Sequence, residues 1–115
     1  MERIINKVIS KSMASFKIYS LSINLDDQTY AIFPCLDPLL KTVPQNITFI
    51  PLPKNIIINE TIISGIESYS GISSILFYPD GAKEPSEIFI TDLSENQNYE
   101  IKINPYSLAP TEVED

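Results

Sequence analysis

The chain has 115 residues, 43% hydrophobic and 20% charged, a composition that suits one ordinary globular domain and lies outside the range of disordered chains. Fifteen acidic against eight basic residues leave a net charge of −7, which disfavours a nonspecific grip on nucleic acid or anionic lipid, since both need clustered Lys and Arg. With no histidine and one cysteine, Cys35, the chain has no internal disulfide, no four-ligand zinc site of Cys and His, and no triad working through histidine.

The opening "ERIINKVISKSMASFKI" reads as an amphipathic helix over residues 1–18. Ile4, Ile5, Val8, Ile9, Met13 and Phe16 gather on one stripe at 3.6 residues per turn, with Lys7, Lys11 and Lys17 largely off it. That stripe is expected to lie on the core. From Tyr19 the period becomes two. In "YSLSINL", Leu21, Ile23 and Leu25 alternate with Ser20, Ser22 and Asn24, the pattern of a strand with one face in water. "DDQ" is turn material and "TYAIF" resumes a strand, so a hairpin is expected.

Prolines at 34, 38, 44, 51 and 53 make the next stretch an irregular surface connection, with a helical turn at "DPLLKT" and a short edge strand at "ITFI". "NIIINE" is a strand, and "TIISGIESYSG" is either a strand with a bulge or a loop. In "SSILFYPDG" both faces are apolar, Ile75 and Phe77 against Leu76 and Tyr78, which suits a central strand. Pro79, Asp80 and Gly81 turn the chain, and 82–86 forms a polar tip. "EIFITDL" and "YEIKIN" complete a three-strand antiparallel meander, with Tyr99, Ile101 and Ile103 inward. The end, 107–115, reads as a fraying acidic tail. The whole is a single α+β domain over 1–115, an N-terminal amphipathic helix packed on an antiparallel β-sheet or β-sandwich spanning 19–106.

Residues suited to chemistry are sparse. Cys35 in "FPCLDP" reads as a small half-buried apolar residue. Asp26 and Asp27 read as solvated turn residues, as does Asp80. Glu112, Glu114 and Asp115 would hold calcium only if a fold fixed them and added carbonyl oxygens. Phe77, Tyr78, Phe89 and Tyr99 could stack against a sugar or a base, but alternation sends most of them inward. Three scattered glycines give no phosphate cradle, and no cofactor or metal is expected. The expectation is a binding surface and no enzyme.

The order of these pieces resembles the soluble part of a GspH/FimT-type minor pseudopilin, of the type II secretion pseudopilus tip or a type IV pilus. The resemblance is carried by the polar helix running into "YSLSINLD", by "LPKNIIINE", and by "ISSILFYPDGAKEPSEIFITDL" followed by "YEIKINPYS". Phe77, Tyr78, Pro79, Asp80 and Gly81 match the family's aromatic-proline-aspartate-glycine turn. The family's threonine-glycine step near the carboxyl end is absent from "NPYSLAPTEVED".

The resemblance implies a pilin-like periplasmic head, anchored in the bacterial inner membrane by an apolar helix half preceding Met1. It implies a structural role in filament assembly and protein secretion, with processing by a prepilin peptidase. Partners would be other minor and major pseudopilins, met through Ile4, Ile5, Val8, Ile9, Met13 and Phe16, with secreted substrate or the outer-membrane secretin beyond. Loops 34–53 and 82–86 would offer the head's contact surface. The isolated head is expected to be a monomer. DNA uptake is disfavoured by the acidic "PTEVED". The alternative from another class is a soluble β-rich module that binds carbohydrate or peptide.

Overall fold

A computed structural model describes residues 1–106 and the backbone pairing of 111–114. One helix comes first, α1 (Glu2–Ser15). A four-stranded sheet holds β1 (Tyr19–Asn24), β2 (Thr29–Pro34), β3 (Ile50–Pro51) and β6 (Ile72–Phe77) in the order β3-β2-β1-β6. A five-stranded sheet holds β4 (Ile56–Ile63), β5 (Ile66–Ser68), β7 (Ser86–Asp92), β8 (Gln97–Ile103) and β9 (Thr111–Glu114) in the order β5-β4-β7-β8-β9. Every pairing is antiparallel, so the α+β reading holds.

One core joins the three layers. Leu21, Ile23, Ile75 and Phe77 come from the first sheet, Ile58, Ile88, Ile90 and Ile101 from the second, and Ile4, Ile5 and Val8 from α1. Each fully buried side chain of this size is worth about 1.5–3 kcal/mol against exposure, so the period-two and period-3.6 patterns decide the architecture. "YEIKIN" behaves as expected, with Ile101 and Ile103 buried and Tyr99 packed against the core.

The helix departs from its expected stripe. It ends at Ser15 and not at residue 18, because Phe16 turns left-handed at φ 57° and closes the last turn onto the Ser12 carbonyl. Ile4, Ile5 and Val8 are buried in the chain's own core and Ile9 packs partly against it, so these four do not form a free filament face. Met13 and Phe16 lie in water. Ser12 takes the inward position instead: its hydroxyl lies 2.8 Å from the Lys17 carbonyl and 3.0 Å from the Phe77 carbonyl. A buried polar group survives there because it has partners.

The first sheet is covered on both faces. Ser20 and Ser22, expected in water, are buried at 2% and 0% exposure. The connection after β2 folds over them: Lys41 Nζ donates to the Ser74 carbonyl at 3.1 Å, and Ser74 Oγ meets Ser22 Oγ at 2.7 Å. Small hydroxyls paired with one another let this second layer approach closely at no cost in unsatisfied polar groups.

The expected meander does not form. Pro79–Gly81 does reverse the chain, with the Gly81 amide bonded to the Tyr78 carbonyl at 3.0 Å. The return segment pairs only as far as Phe77 with Lys83 and the Glu84 amide with the Leu76 carbonyl. Pro85 follows, and the chain crosses to the other sheet, where β7 pairs β4 and β8. So β6 is an end strand, and its two apolar faces answer to the core on one side and the connection on the other. Residues 82–86 are no exposed tip either: Lys83 and Ser86 are buried.

Ser64 and Gly65, both at positive φ, make the two-residue turn of a β4–β5 hairpin, which resolves the ambiguous "TIISGIES". The strand bulge falls at Asn59, between Ile58 and Glu60. Residues 111–114 pair with β8 as a fifth strand where a fraying tail was expected; 107–110 and 115 lie outside the described residues.

Candidate docking surface

The carboxylates act as local fasteners. Asp27 exchanges bonds with Asn24 across the β1–β2 turn, while Asp26 Oδ2 accepts the Gly71 amide at 3.2 Å. Asp80 Oδ1 accepts the Ala82 amide. Asp92 Oδ1 accepts the Ser94 hydroxyl at 2.6 Å and the Ser94 amide, and that hydroxyl bond holds its carboxyl below the usual range. Glu112, Glu114 and Asp115 have no described side chains. Burial pulls the Lys83 ammonium below the usual lysine range, where its Nζ donates to the Gly81 carbonyl.

The four aromatics do not share a face. Phe77 is in the core, Tyr78 is half-buried at the turn with its amide bonded to the Ala82 carbonyl, Tyr99 packs against the core, and Phe89 lies on the outer face of the second sheet, opposite Glu60 and Glu100. Cys35 is half-buried, its amide bonded to the Ile18 carbonyl.

Two residues missed by the sequence reading tie the layers together. Gln28 behaves like an added strand residue: its Oε1 accepts the Ile58 amide at 2.8 Å and its Nε2 donates to the Ile58 carbonyl at 2.9 Å. It thereby clamps the β1–β2 turn onto β4 beside the bulge. Glu84 accepts the Leu76 amide at 2.8 Å, the Ser64 hydroxyl at 3.1 Å, and the Lys41 ammonium at 2.7 Å. One carboxylate therefore joins the proline-rich connection, the β4–β5 turn and β6. Neither role has a local pattern, since Ile58 lies thirty residues from Gln28, and Ser64 and Lys41 lie twenty and forty-three from Glu84.

With the connection so anchored, its apolar residues are thrown outward. Asp37 caps a single turn: its Oδ1 accepts the Leu40 amide at 3.2 Å and its carbonyl accepts the Lys41 amide at 2.8 Å, with Pro38 in the first position. Leu36, just before this turn, and Leu39 and Leu40 within it stand 92%, 95% and 76% exposed. Leu40 and Val43 wall an open groove of about 350 Å³, closed on the other side by Ile63, Ile66 and Ile72. Phe16, 83% exposed, lies at the Tyr19–Pro34 end of the first sheet, where Ile18 bonds Cys35 and Leu36 follows, whereas the groove's Ile72 pairs with Asn24 at the other end.

Phe16 bears a second mark. A left-handed conformation costs a non-glycine residue about 1–2 kcal/mol, and glycine is the usual occupant of this cap position. At 83% exposure Phe16 gains little from burial to offset that cost. Exposed apolar side chains on a braced scaffold are suited to binding another apolar surface. Comparison with protein-family models, with curated proteins and with solved structures returns no match.

Proposed function

We propose that this chain is the head of a minor pseudopilin, a structural subunit of a type II secretion pseudopilus or type IV pilus tip. The element order supports it: a leading helix packed by one stripe onto an antiparallel two-sheet body, with the aromatic-proline-aspartate-glycine turn between the sheets. The observation that carries the role is the exposed set Phe16, Leu36, Leu39 and Leu40, held on a fastened framework and serving no internal packing. In this reading the head meets neighbouring pseudopilins through that set. The buried residues Ile4, Ile5 and Val8 orient the helix on its own head, and only Met13 and Phe16 of the original stripe remain for neighbours.

The test is assembly in cells making the full-length protein. F16G, L36S and L39S combined should leave the head folded and remove it from sheared filaments. Unchanged incorporation of the triple variant would sink the proposal.

A further inference from the structure

The chain's charge is divided by place. Residues 1–17 hold four cations, Arg3, Lys7, Lys11 and Lys17, against the single acid Glu2, a local charge of +3; the remaining residues hold four cations against fourteen acids, a charge of −10. Arg3, Lys7 and Lys11 are exposed and four residues apart on α1, so they form one ridge about 12 Å long. Within the described residues none of the three takes part in an ion pair.

The opposite sign sits on the outer face of the second sheet. Across its strands the outward positions read Glu67, Ile62, Glu87, Lys102 in one row and Glu60, Phe89, Glu100 in the next. Acids thus alternate with apolar side chains, and Lys102 reaches Glu87 only at 3.9 Å. Strands are spaced by about 4.8 Å, so Glu67 to Glu87 and Glu60 to Glu100 each span about 10 Å. The helix packs on the other sheet, against β1 and β6, and leaves this face open.

We propose that this face receives the Arg3–Lys7–Lys11 ridge of a second copy of the chain. The chain's own ridge is opposite in sign to the acidic rows and close to them in span, and the interspersed Ile62 and Phe89 give its aliphatic stems an apolar bed. The two patches are different surfaces, so the contact is heterologous and joins copies head to tail. It requires only the placement of charge and stands apart from the pseudopilin reading.

Salt gives the contact a signature. Net charges of −7 repel between centres at least one molecular thickness apart, 24 Å, whereas the patch charges attract across a few ångströms. The screening length is about 30 Å at 0.01 M salt, about 10 Å at 0.1 M and about 3 Å at 1 M. Association is therefore strongest near the middle value. Sedimentation velocity on the intact chain should show mostly monomer at the two extremes and at least about a doubling of weight-average mass at the middle salt.

At that salt, K7E/K11E and E87K/E100K should each be monomeric alone and should co-sediment when mixed. K17E/K54E, which changes net charge as much as K7E/K11E does, should keep wild-type association. All of these positions are exposed or half-exposed, and circular dichroism verifies folding. A monomer at all three salts would overturn the proposal, as would association that both reversals leave unchanged.

Discussion

At the scale of single residues, two side chains concentrate the consequences. Glu84 accepts three donors from three segments while only 16% exposed, so its loss leaves the Leu76 amide and the partly buried Lys41 without their acceptor. E84A should cost about 2–3 kcal/mol, read as a lower midpoint in urea, and E84Q distinctly less. An unchanged midpoint for E84A would show that the three segments hold without it. Tyr69 tests the acidic face from another direction. Its hydroxyl donates to Glu67 Oε2 at 3.1 Å, and that bond together with Glu60 pushes its pKa up to about 12. A raised pKa means the folded protein keeps this proton longer than the unfolded chain, so the associated stability is present below about pH 10 and lost as pH rises through about 12. In E67Q the titration of Tyr69, read as the difference from the same protein carrying Y69F, should move to lower pH; an unmoved titration would place the cause elsewhere.

At the scale of elements, the left-handed end of α1 offers a test that separates folding from the proposed docking role. F16G relieves a left-handed phenylalanine that packs on little, and should raise stability by about 1 kcal/mol while weakening assembly. A fall in stability would mean that Phe16 is a packing residue. Much of the element list was legible beforehand, because Leu21, Ile23, Ile88, Ile90, Ile101 and Ile103 carry period-two patterns that burial enforces. The partnering of strands was less so. "SSILF" announces two buried faces, but whether neighbouring strands or a proline-rich flap buries them is a long-range matter. The serines of "YSLSIN" misled for the same reason: a hydroxyl reads as solvent-facing until a second hydroxyl, Ser74, arrives from fifty-two residues away. The leucines of "CLDPLL" stood in a loop already marked for contact, yet no local pattern reveals the Lys41–Glu84 anchor beside them or their exposure.

At the scale of the whole molecule, stability and contact are assigned to different places. Two sheets and one helix share a core, with Gln28, Glu84 and the Thr61–Ser73 hydroxyl pair fastening the layers. Phe16, Leu36, Leu39 and Leu40 are among the apolar residues this body leaves exposed. L36S/L39S should therefore shift unfolding by less than about 0.5 kcal/mol, because surface changes away from packed features seldom do more. A larger loss would return these leucines to the fold and remove them from the docking surface.

The central claim, that this head belongs to a filament subunit, is tested most directly by reading the coding sequence immediately upstream of the Glu2 codon. The account predicts a basic start, a glycine-phenylalanine-threonine junction with glutamate at its fifth position, and about twenty apolar residues continuing in frame into "ERIINK". An in-frame stop codon directly before Met1 would contradict it, and a soluble β-rich binding module would then be the reading to pursue.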